Sequence, residues 1–327
     1  MRKVLVVGGA GYIGSHCASA LAANGITPVV YDNLSCGHRE AAKFGPFITG
    51  DILDQDRLSA VFKDVAPDAV FHLAALALVA ESIEKPDLYW QNNVEGTKNL
   101  LAAMRSAGVG KVVFSSTCAV YGTPERSPID ETTSCNPINP YGETKLAAEA
   151  LLKEAGRELG IRSVSLRYFN AAGAFPDKGI GEAHGHETHL IPLVLQNALG
   201  LRSGLTVNGR DFPTADGTAI RDYVHVGDLA DAHLAALAHL DKGGETLSLN
   251  LGTGRGASVL EVIRTAEEVT GKDIPFSFGS RRQGDPAELV ADAAKAAEVL
   301  GWQARFDLRK MIADAWEWHC DQEFGLG

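Results

Sequence analysis

Short apolar runs alternate along this chain with longer stretches in which apolar residues recur every three or four positions. Residues 4–7, 29–31, 47–49, 69–72, 111–114 and 163–166 read as buried strands. Helical periodicity fills the gaps between them, over 12–24, 54–64, 92–106 and 142–159, and Gly25 is placed to stop the first helix. Strands that are apolar throughout are buried on both faces, so the pattern predicts an α/β fold with a doubly wound parallel sheet. Right-handed crossovers then put ligands at the carboxyl ends of the strands.

Beyond residue 170 the texture changes. Gly, Pro and His become frequent through 171–189, and a helical stretch at 228–240 leads into one more strand-like run at 247–251. The expected organisation is a Rossmann-type nucleotide domain over 1–170, rejoined by about 222–252. A smaller C-terminal substrate domain, interrupted in sequence, takes 171–221 and 253–327.

Composition narrows the function. The 45% hydrophobic content supports a full core, and a net charge of -11 opposes non-specific nucleic-acid binding, because a polyanion needs a basic face. No run of eighteen apolar residues crosses a membrane and no secretory signal is visible, which predicts a cytoplasmic protein. The five cysteines have no CxxC spacing, so free thiols are expected rather than a disulfide frame or a zinc site. "HGHETH", residues 184–189, lacks the HExxH arrangement and reads as a polar substrate loop with no metal.

Candidate chemistry begins with the first strand. "VLVVGGAGYIG" sets Gly9, Gly11 and Gly14 in the GxGxxG spacing, with Gly8 just before, at a strand-to-helix turn. Such glycines let a pyrophosphate approach backbone amides at a helix N-terminus. Asp32 ends the second strand eighteen residues after Gly14, where a carboxylate can accept hydrogen bonds from an adenosine ribose and repel a 2′-phosphate. NAD is therefore the expected cofactor. Asp51 in "GDIL" is placed for the adenine edge, and Leu73, Ala74 and Ala75 end the fourth strand with mostly small residues that suit close cofactor approach.

"SSTCAVYG" at 115–122 and "YGETK" at 141–145 bring hydroxyls, a phenol and an ammonium into play. Tyr141 and Lys145 are at i and i+4 and share a helix face. A free phenol near pKa 10 is a poor base. A neighbouring ammonium and a positive nicotinamide ring would lower it, Lys145 can also bind the nicotinamide ribose, and Thr117 can relay a proton. This is hydride chemistry on an alcohol.

At this point the chain resembles the extended short-chain dehydrogenase/reductases, in their sugar-nucleotide epimerase branch, and within it the UDP-glucose 4-epimerase family. The likeness runs almost end to end, through "GGAGYIGSH", "YDNL", "SSTCAVYG", "NPYGETK", "LRYFNAAGA", "DGTAIRDYVHVGDLADAH", "LNLGTG" and "RRQGDPAELVAD". It implies Tyr141 as catalytic base, assisted by Lys145 and Thr117, and NAD contacts from Tyr12, Ile13, Asp32, Asn33, Asp51, Ile52, Asn92 and Phe169. It implies UDP-sugar contacts from Asn170, Leu190, Arg221, Arg282 and Asp285, with Leu289 beside the sugar C2 substituent. It also implies a homodimer built on the helices at 92–106 and 142–159, whose apolar positions (Leu100, Leu101, Met104, Ala147, Leu151, Leu152) can equally serve the internal core. Two positions depart from the pattern: Thr117 stands where serine is common, and Ala77 where a lysine often contacts the cofactor. A 4,6-dehydratase of the same family would carry an Asp-Glu pair after the threonine; Cys118 and Ala119 stand there instead. A non-catalytic NAD sensor would not need Tyr141, Lys145 and Thr117 together.

Overall fold

The computed structural model describes residues 1–321 apart from His186 and Gln283. The chain runs β1 (Lys3–Val7), α1 (Tyr12–Ala23), β2 (Thr27–Asp32), β3 (Phe47–Thr49), α2 (Gln55–Val65), β4 (Ala69–His72), α3 (Val79–Glu84), α4 (Pro86–Tyr89), α5 (Gly96–Ala107), β5 (Lys111–Thr117), α6 (Pro140–Leu159) and β6 (Arg162–Tyr168). It continues with β7 (Asn170–Ala172), α7 (Leu190–Ala198), β8 (Leu205–Asn208), β9 (Ile220–His225), α8 (Val226–Asp241), β10 (Leu247–Leu251), β11 (Gly256–Ser258), α9 (Val259–Thr270), β12 (Phe276–Gly279), β13 (Glu288–Leu289), α10 (Ala294–Leu300) and α11 (Leu308–Cys320).

Seven parallel strands form the main sheet in the order β10-β6-β5-β4-β1-β2-β3. Strand alternation divides its core in two. Val4 and Val6 of β1 face one layer with α1 and α8, while Leu5 and Val7 face the other with α2, α5 and α6. The order reverses between β1 and β4, so a crevice opens at their carboxyl ends.

The run at 247–251 joins the edge of this sheet beside β6. β9, which covers residues 222–225 of the expected return, instead pairs with β7, β11 and β13 in a smaller sheet. A third core packs α7, α9 and α11 against that region. Strands β5 and β6 run further than their apolar runs, through Thr117 and Tyr168, because parallel pairing continues past the hydrophobic stretch. Just before α5, residues Trp90–Glu95 form a π-helical turn that carries Asn92.

Leu100, Leu101, Met104 and Leu152, offered by the sequence for either a dimer face or the core, are at most 7% exposed within a single chain. Packing against the main sheet has already used them. All five cysteines are free thiols. No described helix is long and apolar enough to cross a membrane.

Candidate active site

The turn after β1 is built for close approach. Gly8 has φ +84°, and a Cβ there would lie 2.4 Å from the Ala74 nitrogen. A Cβ on Gly14 would meet the Gly8 carbonyl oxygen at 2.1 Å, so α1 can sit this near the strand only with glycine. No side chain caps α1 at Gly11, which leaves the first amides of the helix aimed outward for an anion.

Gly8, Gly11, Asp32, Asn33, Ile52, Leu73, Ala74, Ala75 and Asn92 line one cleft at the sheet's switch point. Sequence reading missed several of its walls, among them Tyr31 and the Ser35–Gly37 loop. A signal existed at Gly37: a Cβ there would meet the backbone of Ala10 at 2.8 Å, a constraint that leaves glycine in the sequence but no spacing rule.

Asp32 is buried, and its carboxylate accepts from the Ala10 amide at 2.9 Å and the Leu34 amide at 2.8 Å. Burial raises its pKa and those two amides oppose the rise. Asn33 donates to Asp51 at 2.8 Å, which fixes the far wall. Tyr12 is turned away to donate to the Gly173 carbonyl at 2.6 Å, and Ile13 packs into the core under the cradle. The uncapped helix start, the glycine approach and the acidic end of β2 together fit a dinucleotide.

The proton-handling groups come from β5 and α6. Asn139 caps α6 by accepting from the Gly142 amide at 2.9 Å, and Pro140 occupies the first turn, where its missing N–H costs nothing. This start sets Tyr141 and Lys145 above the end of β5. Lys145 donates to the Ser115 carbonyl at 2.8 Å and lies 4.8 Å from the Phe114 ring centre. Burial pulls its pKa down to about 7, against the pull of Glu149. Burial pushes Tyr141 up to about 12, while the Thr117 hydroxyl works in the opposite direction. In the chain alone burial governs both groups, with Lys145 seated on the Ser115 carbonyl; the lowering expected of the phenol also calls on the positive nicotinamide ring. Asn93 ties α6 to the cleft by donating to Thr144 at 3.0 Å and to the Leu76 carbonyl at 3.1 Å.

Phe169, expected to touch NAD, and the residues expected to bind the UDP-sugar come from β7, α7, β9, β13 and their flanking loops. Phe169 lies between β6 and β7 in a small core of Val120, Tyr121, Ile129 and Ala291, with Cys118 and Leu289 packed against it. Asn170 opens β7 and donates to the Asp222 carbonyl at 3.0 Å. Leu289 of β13 stands in register with Arg221 of β9, whose guanidinium is paired with Asp285. Leu190 begins α7. Arg282 is exposed, and its carbonyl accepts from the Asp285 amide at 3.2 Å. Asp222, fully buried, went unnoticed in the sequence; it accepts from the Thr253, Gly254 and Ala291 amides and so binds the small sheet together.

A sequence profile of the NAD dependent epimerase/dehydratase family matches residues 4–252. The chain belongs to this family. It is 51% identical over 318 residues to a UDP-glucose 4-epimerase of Rhizobium leguminosarum bv. trifolii, covering 97% of each chain. It is likewise similar to the structure of a UDP-glucose 4-epimerase from Brucella ovis in complex with NAD, with 51% identity, a TM-score of 0.94 and coverage of 97% and 99%. A UDP-glucose-4-epimerase of Stenotrophomonas maltophila, solved with NAD and formylated UDP-arabinopyranose, matches at 43% identity and a TM-score of 0.94 over 98% of both chains.

If Asp32 accepts from the adenosine ribose, as the sequence predicts, Asp32→Ala removes that acceptor and the charge that disfavours a 2′-phosphate. Hydrogen bonds to a charged group contribute about 1.5–3 kcal/mol, so NAD binding should weaken by roughly 10–100-fold. NADP binding should weaken less. Equal affinity of the unmodified protein for the two dinucleotides, measured by fluorescence titration, would remove Asp32 from this role.

Proposed function

We propose that the protein interconverts UDP-glucose and UDP-galactose by reversible hydride transfer at the sugar C4, through a 4-keto sugar. The observation that carries the proposal is the meeting of Thr117, Tyr141 and Lys145 at the end of β5, beside a cleft fit for a dinucleotide. When bound, NAD supplies the hydride acceptor and donor. Tyr141 takes the proton of the sugar hydroxyl, and Thr117 passes it between substrate and phenol. Lys145 holds a positive charge under the site from its seat on the Ser115 carbonyl. Arg221 and Arg282 offer charge-assisted hydrogen bonds to a diphosphate, Arg221 after exchanging Asp285 for the phosphate. Asn170, Leu190 and Asp285 complete the pocket for the nucleotide sugar.

The test needs no added oxidant. Purified protein with UDP-galactose should accumulate UDP-glucose to equilibrium without net NADH. A product lacking water would instead indicate a dehydratase, and no turnover at all would indicate a binding protein.

Sugar preference is assigned to Leu289. Its partly buried, branched side chain lies beside Phe169 and Cys118 and in register with Arg221. It crowds an acetamide and offers it no hydrogen bond, which costs about 1–3 kcal/mol for an unpaired polar group. The kcat/KM for plain hexoses should exceed that for UDP-N-acetylglucosamine by about tenfold or more. Leu289→Ser should narrow the ratio. Unmodified protein that turns over the N-acetyl sugar equally well would end this role for Leu289.

A homodimer and a cytoplasmic location complete the proposal. The five free thiols agree with a reducing compartment. With Leu100, Leu101, Met104 and Leu152 in the core, the dimer must use the outer faces of α5 and α6; sedimentation as a monomer would reject it.

A further inference from the structure

The loop ahead of α7 carries a group of side chains that the hydride chemistry does not use. Glu182, His184, Glu187 and His189 each present a ligand atom, and these atoms all lie within 4.8 Å of one another. Glu182 is the residue the sequence reading left out when it judged "HGHETH" alone; His186 lies outside the described residues. The Nδ1 of His189 is 2.9 Å from Glu182 Oε1 and 2.8 Å from Glu187 Oε1. The Nδ1 of His184 is 3.4 Å from Glu182 Oε1 and 3.1 Å from Glu187 Oε2.

These separations have a metric meaning. Zinc bound at about 2.0–2.1 Å in a tetrahedron has ligands about 3.3 Å apart. The four contacts, from 2.8 to 3.4 Å, fall around that edge length, and every separation among the ligand atoms is within 4.8 Å. Charge points the same way. The Glu182 and Glu187 side chains are only 7% and 5% exposed. Among the described residues they form no ion pair with a lysine or arginine, only with the two histidines. Two buried carboxylates of this kind need two positive charges close by, which either two imidazolium rings or one divalent cation can supply. A pair of imidazoles with a pair of carboxylates selects a borderline transition ion over calcium or magnesium, which prefer all-oxygen shells.

The ligands are also held from behind. Glu187 Oε1 accepts from the Thr188 and His189 amides, both at 2.8 Å. The Glu182 carbonyl accepts from the Trp318 indole at 3.0 Å, and Gly181 lies so close to that ring that a Cβ would come within 2.5 Å. Outer contacts of this sort orient metal ligands. The same loop meets the cofactor side, since a ring nitrogen of His38 lies 3.0 Å from the Ala183 carbonyl.

We propose that Glu182, His184, Glu187 and His189 form a structural site for a zinc-class divalent ion, which pins the loop between the cofactor cleft and α7. To test it, full-length protein is stripped with a chelator, cleared of it, and titrated with zinc chloride near neutral pH by calorimetry, with elemental analysis for stoichiometry. One zinc per chain should bind, and His184→Ala and Glu187→Gln should each weaken binding by at least about 100-fold, beyond the effect of losing an outer-shell partner. Zinc should raise the Tm of the unmodified protein and not of the variants. Cobalt substitution gives a second readout that does not depend on the variants folding: a tetrahedral visible spectrum should appear in the unmodified protein. Zinc affinity unchanged in the variants, or no tetrahedral cobalt spectrum in the unmodified chain, would overturn the site and leave two imidazolium–carboxylate pairs.

Discussion

Tyr141→Phe should fold normally, retain NAD and lose roughly 10²–10⁴-fold in kcat, the range of general acid–base catalysis. That loss equals about 3–5 kcal/mol of transition-state stabilisation. The substitution removes one oxygen from a partly buried ring and leaves the apolar contacts in place. The cap at Asn139 and the seat of Lys145 on Ser115 do not involve the phenol, so the start of α6 should survive. The size of the effect follows from how far the phenol lies from a useful base. In the chain alone burial holds it up at about 12. Reaching a reactive phenolate near neutral pH therefore requires charge that arrives with the ligands, and every part of that charge acts through the single oxygen the variant lacks. Steady-state kinetics with UDP-galactose, alongside quantitation of bound dinucleotide, checks the result. Turnover within about threefold of the unmodified enzyme would mean another group moves the proton, because general-base removal cannot cost so little.

The strands, the glycine turn and the Tyr141–Lys145 pair were legible because each obeys a local rule of period or spacing. The strand at 247–251 was readable as a strand, and its place beside β6 follows from the parallel order. Other features depend on partners far away in the chain. Gly37 matters through Ala10, Asp222 through Thr253 and Ala291, and Glu182 through His184 and His189, and no periodicity marks such meetings. The seat of Lys145 was hidden for a related reason. Spacing put it one helical turn from Tyr141 but could not show that β5 would bury the ammonium on a carbonyl. The dimer face was ambiguous because apolar helix positions look alike whether a sheet or a second chain covers them.

The largest unread feature is the buried pair of Glu149 and Arg167, and it carries the strongest stability prediction. Arg167 of β6 grips Glu149 of α6 through two bonds, at 2.9 Å and 2.6 Å. Their side chains are 5% and 1% exposed. Ser116 donates to Glu149 at 2.6 Å, and Arg167 donates to the Tyr121 hydroxyl at 2.9 Å, which in turn donates to Asn250 of β10 at 2.7 Å. The network thus joins β5, β6, β10 and α6 directly beneath Thr117 and Tyr141. Glu149→Ala strands a guanidinium that water cannot reach, and breaking one side of such a pair costs about 3–5 kcal/mol. The urea midpoint should fall with little change in slope, since the surface exposed on unfolding is nearly unchanged. Glu149→Gln keeps acceptor capacity without charge and should fall between the two. Replacing both partners with apolar residues should recover part of the loss by removing the stranded charge. The recovery should be incomplete, because Ser116 would lose its acceptor and Tyr121 the donor it accepts from. A Glu149→Ala protein whose unfolding free energy lies within about 1 kcal/mol of the original would show that water or a rearranged neighbour compensates Arg167, and that the pair positions the site without holding the fold.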